Sequence, residues 1–384
     1  MRVVSFRNSR VVLRDAMPEV SWIGIAGGEI VDLGLEGCQR QPPSDVEFNS
    51  VAVLPGFIDI HIHGAVGVDV NEADADGLLA VAEFLAANGI TSWLPTLVPD
   101  SDENYRRTIG EIETLLRVQE GRPVAQAVGV HYEGVFANEK MCGALRPEYF
   151  KNFTGEEVGQ LPRLKSGAHM TTFAPEIERG VELIEDLVAR GWVASIGHTK
   201  ADRATLDRAF AAGAHHMTHF FNAMTGIHHR DLGVAGWGLA NRQVTFDIIA
   251  DGLHVDAKML EMACRSKSPD NVSLISDSVS PTGLGDGDHE LWGETVSVTD
   301  GRTRNERGSI AGSVITMHDA VKRMLSLGFS EIDVAKMSSL NPARLIKMDQ
   351  KAGAIEIGKR ADLVAIDAAG DIVFTMVGGE FAAK

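Results

Sequence analysis

Between Pro55 and Asp277 the chain alternates short apolar, strand-like runs with helical ones, and that alternation most restricts the folds open to it. The strand-like runs end near His63, Leu97, Glu133, Pro175, His198, His219, Ala250 and Asp277. Helical patterns separate most of them, over 75–88, 102–119, 181–190, 201–212 and 257–266. Eight strands, most followed by a helix, predict a (β/α)8 barrel of the TIM type. The length of 384 residues suits one such barrel with an added layer. A content of 44% hydrophobic but only 6% aromatic residues, with 40 glycines, favours an α/β enzyme over an all-β sandwich or a helical bundle.

The two ends of the chain read differently. Strand-like runs at 3–6, 11–13, 22–26, 29–33 and 51–54, with a hairpin signal at Gly27-Gly28, fill the first 54 residues without a helical pattern. Strand-like runs return at 362–367 and 371–377. Two isolated ribbons would each be marginal. They are therefore expected to pair into one small β-sandwich domain, 1–54 with 350–384, leaving 55–349 as the barrel. Glycines 283, 285 and 287 and helices at 317–326 and 331–339 follow the eighth strand.

The formal charge of −17 sets a nucleic acid or an anionic membrane aside as partner. Three widely spaced cysteines, Cys38, Cys142 and Cys264, indicate neither a disulfide framework nor a thiolate zinc site, and a reducing cytoplasm is expected. The N-terminal residues lack a signal-peptide core and no apolar run nears the roughly 20 residues of a membrane span. A small-molecule substrate remains, and an anionic one needs a local cationic pocket.

Residues two apart on a strand share a face, so His61 and His63 point the same way at the end of the first barrel strand, just before Gly64. Alone, His-x-His equally suits two polar residues at a strand end. The other strand ends change that reading, because Glu133, His198, His219 and Asp277 fall at the third, fifth, sixth and eighth. In a barrel these converge on one mouth, where active sites of this fold lie. Six ligand-type residues there predict a metal centre. Glu133 can bridge, so that His61, His63, Glu133 and Asp277 hold one divalent ion and Glu133, His198 and His219 a second. Imidazole and carboxylate suit zinc, iron, manganese and cobalt alike. Asp277, beside such an ion, is placed to take a proton from water and return it to a leaving group.

Several motifs in order carry a resemblance: Pro55-Gly56-Phe57-Ile58-Asp59, His131-Tyr132-Glu133-Gly134, Gly197-His198-Thr199, Thr218-His219-Phe220-Phe221-Asn222-Ala223-Met224, Ala250-Asp251-Gly252-Leu253-His254 and Ala311-Gly312-Ser313. Together they resemble the N-acetylglucosamine-6-phosphate deacetylase family of the amidohydrolase superfamily, over about residues 50 to 367. The resemblance implies hydrolysis of the acetamide of an amino-sugar phosphate, Glu133, His198 and His219 as ligands of the family's metal, and His61-x-His63 as in members able to hold a second ion. It also implies Asp277 as general base and then acid, and a homodimer. Asn222, Ala223, Arg230 and His254 would hold the sugar phosphate, with Ala144 and the loop Ile310, Ala311 and Gly312 lining the sugar. Arg230 makes separate sense, since an acidic protein that binds phosphate needs a guanidinium.

Three departures stand out. The family usually follows its glutamate with Gly-Pro and, eleven or twelve residues on, Gly-x-His; here Gly134-Val135 and Gly143-Ala144-Leu145 occur. Leu145 replaces an imidazole thought to act at the amide carbonyl, and leucine donates no hydrogen bond. His228 and His229, beside Arg230, are the first substitutes to consider. The family's Asp-Ala after the last strand is Asp277-Ser278. The metal set is left intact, while the acyl group or the sugar is opened to change. An amidohydrolase acting on another N-acyl sugar or amide is the alternative; cyclic-amide enzymes often bridge their metals with a carboxylated lysine where this chain has Glu133. A catalytically silent binding homologue would have no need of the full ligand set.

Overall fold

A computed structural model describes residues 1–35 and 43–383. Eight parallel strands, Phe57–Ile62, Ile90–Leu97, Gly129–Phe136, Ala168–Phe173, Val193–Ile196, His216–Met217, Thr245–Ile249 and Val272–Ile275, neighbour one another in chain order. They form a (β/α)8 barrel that is nearly closed. Between the first and eighth strands the closure is irregular: buried Asp59 accepts from the Ser276 hydroxyl at 2.5 Å, and the Asp277 main-chain N–H donates to His61 O at 2.9 Å. The seam thus ties the His61–His63 strand directly to Asp277.

The outer helices form where apolar residues recur at helical spacing behind a capping residue. In Ala75–Ala87 the Asp74 side chain accepts from Gly77 N, and Leu78, Val81, Ala82 and Leu85 are buried against the barrel. Asp102–Val118 repeats this behind Ser101, burying Tyr105, Ile109, Ile112 and Leu115. Helix Gly233–Ala240, after the sixth strand, goes beyond the sequence reading; three glycines and nearly uniform apolarity leave it no polar face to reveal a period. Ile58, Ile60, Leu94, Met170, Ile249 and Ile275 cluster with Ala343 and Ile346 of the chain's last helical segment, away from the polar mouth.

Two further sheets flank the barrel. One holds Arg2–Arg7, Val20–Ala26, Glu29–Leu35 and Val46–Asn49. The other joins both ends of the chain, since Ala52–Pro55 pairs antiparallel with Leu363–Ile366, which pairs with Ile372–Val377. Val4, Ile23, Val53, Leu363 and Phe374 share one apolar core between them. A third, three-stranded antiparallel sheet over Gly287–Leu291, Glu294–Thr299 and Arg302–Asn305 follows the eighth barrel strand, where glycines masked it in the sequence. Among the described residues no helix is long and apolar enough to cross a membrane. Cys142 and Cys264 are free thiols, and Cys38 lies outside the described residues.

Candidate active site

The six ligand-type residues meet at the mouth of the barrel. Glu133 Oε1 lies 3.0 Å from both His198 Nε2 and His219 Nε2, and Glu133 Oε2 lies 3.2 Å from His63 Nε2. Asp277 Oδ1 is 3.3 Å from His63 Nε2 and 3.4 Å from His61 Nε2. The imidazole nitrogens also face each other, at 3.1 Å for His61 with His63 and 3.0 Å for His198 with His219. His61, His63 and Glu133 form one group able to hold a metal ion, and Glu133, His198 and His219 a second.

This packing fits a bound cation. His198 Nδ1 sits 2.8 Å from Met141 O and His63 Nδ1 3.2 Å from Thr96 O, so each Nδ1–H donates to a carbonyl and leaves the Nε2 lone pair directed inward. Lone pairs aimed at a carboxylate oxygen about 3 Å away repel unless a cation lies among them. Charge shows that the carboxylates demand a positive partner, and without a metal they would draw a proton onto the same Nε2 atoms. Burial disfavours a charged imidazole, yet hydrogen bonds and charge from Asp277 and Glu133 raise His63 to about 10, and Glu133 raises His219 to about 9. Burial pushes Glu133 upward, but His61, His198 and His219 hold it well below the ordinary carboxylate range.

The backbone around these residues is unusual. His198, His219 and Asp277 have φ of 47°, 32° and 50°, a left-handed conformation uncommon outside glycine and costing roughly 1–3 kcal/mol at each place. The surroundings hold it. Asn138 N–H donates to His198 O at 3.1 Å, the His219 N–H donates to buried Asp247, and Ser313 N–H donates to Asp277 O at 2.7 Å. Glu133 lies inside its strand rather than at the end expected, because the strand continues to Phe136 past an irregularity, with Gly134 at φ 73°.

Several supporting residues escaped the sequence reading. His131 sits edge-on to His61 at 4.7 Å, with Nδ1 3.0 Å from Ile60 O and Nε2 2.8 Å from Thr172 Oγ1. Burial and the charge of His61 hold it well below the usual histidine range, hence neutral. From Thr172 a row of hydroxyls runs through Thr218 to Ser195 beneath the cluster. Asp59 carried a signal that the reading did not use, its place two residues before His61 on the same strand face; Asp247, in an ordinary strand sequence, carried none.

Above the cluster opens a cavity of about 290 Å³. His63, Glu133, His198, His219 and Asp277 line its floor, with His61 fully buried behind them. Ala144, Asn222, Ala223, His254, Ile310 and Gly312 line its walls. His254 is aimed by Asp251, whose Oδ2 lies 2.6 Å from His254 Nδ1. Ala311 is buried behind the wall, and Arg230, His228 and His229 are exposed and outside the lining. The Arg230 guanidinium donates to His229 Nε2 at 2.6 Å, on the loop that precedes helix Gly233–Ala240. Leu145 and Trp292 join the lining; no sequence pattern pointed to Trp292, since it lies in the sheet the glycines concealed.

Comparison with known proteins shows the family. The amidohydrolase family profile matches residues 52–382. N-acetylglucosamine-6-phosphate deacetylase of Bacillus subtilis (strain 168) is 32% identical, covering 97% of this chain and 95% of its own. N-acetylgalactosamine-6-phosphate deacetylase of Escherichia coli O157:H7 is 33% identical, covering 92% and 94%. The crystal structure of N-acetylglucosamine-6-phosphate deacetylase from Thermotoga maritima superposes with a TM-score of 0.88 at 32% identity, covering 100% of this chain and 99% of that one.

Proposed function

The chain belongs to the amidohydrolase family, and on that premise we propose that it removes the acetyl group from N-acetylglucosamine 6-phosphate, leaving the free amine and acetate. The observation that carries this reading is Glu133 held between two histidine pairs with Asp277 beside one of them, on the floor of a substrate-sized cavity. Glu133, His198 and His219 would hold one divalent cation, and His61 and His63 with Glu133 and Asp277 a second; zinc, iron, manganese and cobalt all suit these donors. When bound, the cation supplies Lewis acidity toward a carbonyl oxygen and toward water.

The chain's own residues supply the rest. Burial opposes ionisation of Asp277, but His61 and His63 draw its carboxyl below its usual value, which leaves it ionised with an oxygen free to accept a proton from water. The protonated acid then faces the departing nitrogen, which needs a proton to leave as an amine. Asp251 holds the His254 ring by Nδ1, so that with both ring nitrogens protonated Nε2–H would donate to an anionic group, and Asn222 and the Ala223 backbone share that wall. Arg230 stands farther out in this arrangement and is assigned a smaller share of phosphate binding. A homodimer is proposed on the family resemblance alone. Free Cys142 and Cys264 accord with a reducing cytoplasm.

Acid release from a panel of N-acyl amino sugars, with and without the 6-phosphate and including the galactosamine epimer, tests this reading. The phosphorylated glucosamine compound is expected to be preferred over its unphosphorylated form by about a hundredfold in kcat/KM. His254→Ala is expected to raise KM for the phosphorylated substrate about tenfold or more and to leave kcat nearly unchanged, as loss of a charged hydrogen bond made equally in ground and transition states does. Equal rates with and without the phosphate would remove the anionic subsite from the account.

A further inference from the structure

Trp292 occupies a position that an indole rarely takes. Leu291 pairs with Glu294 across a two-residue hairpin turn, Trp292-Gly293, in which φ is 53° and 81°. Such turns favour asparagine or glycine at the first place, and a bulky side chain with positive φ is an outlier. The strain is held by a specific contact: Trp292 Nε1–H donates to Asp69 Oδ2 at 3.0 Å. Asp69 belongs to the segment that folds back on Gly64, directly after His63. The ring consequently stands edge-on to the His63 imidazole, 5.4 Å away at 83°.

A second wall meets it. Leu145, 3% exposed, packs so closely over Gly134 that a Cβ there would lie 2.3 Å from Leu145 Cδ1. Ala144 and Trp292 rest on the same small apolar cluster of Val279, Leu291, Val296 and Ala311. Arg307, paired with Glu294 at 3.0 Å, donates to Ala144 O at 2.9 Å and so fastens the loop bearing Leu145 to the sheet bearing Trp292. The corner of the cavity beside His63 and Glu133 is therefore apolar and braced, while the His254 and Asn222 side is polar.

Resting on the deacetylase reading, we propose that Trp292 and Leu145 form the wall against which the N-acyl chain lies, and that they limit the substrate to an acetyl-sized group. An amide carbonyl carbon presented to Asp277 carries one alkyl substituent that needs apolar cover, and this corner, bounded by Trp292 and Leu145, provides it. N-acetyl-, N-propionyl- and N-butyrylglucosamine 6-phosphate are compared as substrates of the metal-loaded wild type, Trp292→Ala and Leu145→Ala. The wild type is expected to favour acetyl, and each variant to raise the butyryl-to-acetyl ratio of kcat/KM by about tenfold or more, the scale of one or two methylenes in an apolar pocket. Leu145→Ala opens the wall from the barrel side and keeps the test decisive if Trp292→Ala loosens the hairpin; general damage would lower all three rates without moving the ratio. Acetyl release with an unmoved ratio in both variants, or a wild type indifferent to acyl length, overturns this inference alone. No release from any of the three by wild type overturns the deacetylase reading and this inference with it.

Discussion

Asp277→Asn is expected to lower kcat for acetate release by at least about a thousandfold, within the range that a positioned acid and base contributes. The substitution is nearly isosteric, and the backbone contacts that place the residue, its N–H to His61 O and its carbonyl to Ser313 N–H, do not depend on the carboxylate. What changes is the proton. An amide neither accepts one from water nor returns it to the leaving nitrogen. Because Glu133 and four histidines remain, metal content measured on the same preparation is expected to stay above half of wild type. Turnover within tenfold of wild type would reduce Asp277 to a ligand or a structural residue.

Glu133→Gln is expected to have the second large effect, and by a different route. Among the described residues, Glu133 is the one side chain within 3.2 Å of His63, His198 and His219 together, and the one carboxylate common to both ligand groups. Glutamine keeps the shape and removes the charge. A neutral amide leaves four imidazoles facing one another with only Asp277 to balance a divalent ion, so metal content is expected to fall below about a tenth of wild type and kcat/KM by about ten-thousandfold or more. The contrast with Asp277→Asn is informative, since one variant is expected to keep metal without turnover and the other to lose both. Full metal content in Glu133→Gln would show that the histidines suffice and would move the centre of the site away from this residue.

How much of this was legible in the chain follows from what kind of signal each part leaves. Strand ends bearing His61, His63, Glu133, His198, His219 and Asp277 stood out because ligand-type residues interrupt apolar runs at places a barrel brings together. The meeting of both chain ends was readable from two ribbons that could not stand alone, and Leu54 now pairs with Val364. Short-range pattern failed where tertiary structure alone decides. The sixth strand was expected from the run ending near His219 and is there, only two residues long at His216–Met217, whereas the three-stranded sheet around Trp292 hid among turn glycines. The neutral state of His131 and the seam made by Asp59 and Ser276 arise from burial and from contacts 217 residues apart, which no local spacing encodes. Arg230 shows the converse: a residue type suited to phosphate says nothing of where its loop will carry it.

One measurement reaches the core of the account, namely that Glu133 and the histidines hold divalent metal for amide hydrolysis. Protein stripped by a chelator is titrated with a divalent ion while acetate release from N-acetylglucosamine 6-phosphate and bound metal are followed on the same sample. Activity is predicted to be absent in the stripped protein, to rise with bound metal, and to level off at one or two ions per chain. Undiminished acetate release from protein shown to be metal-free, or no release from fully loaded protein, would contradict it.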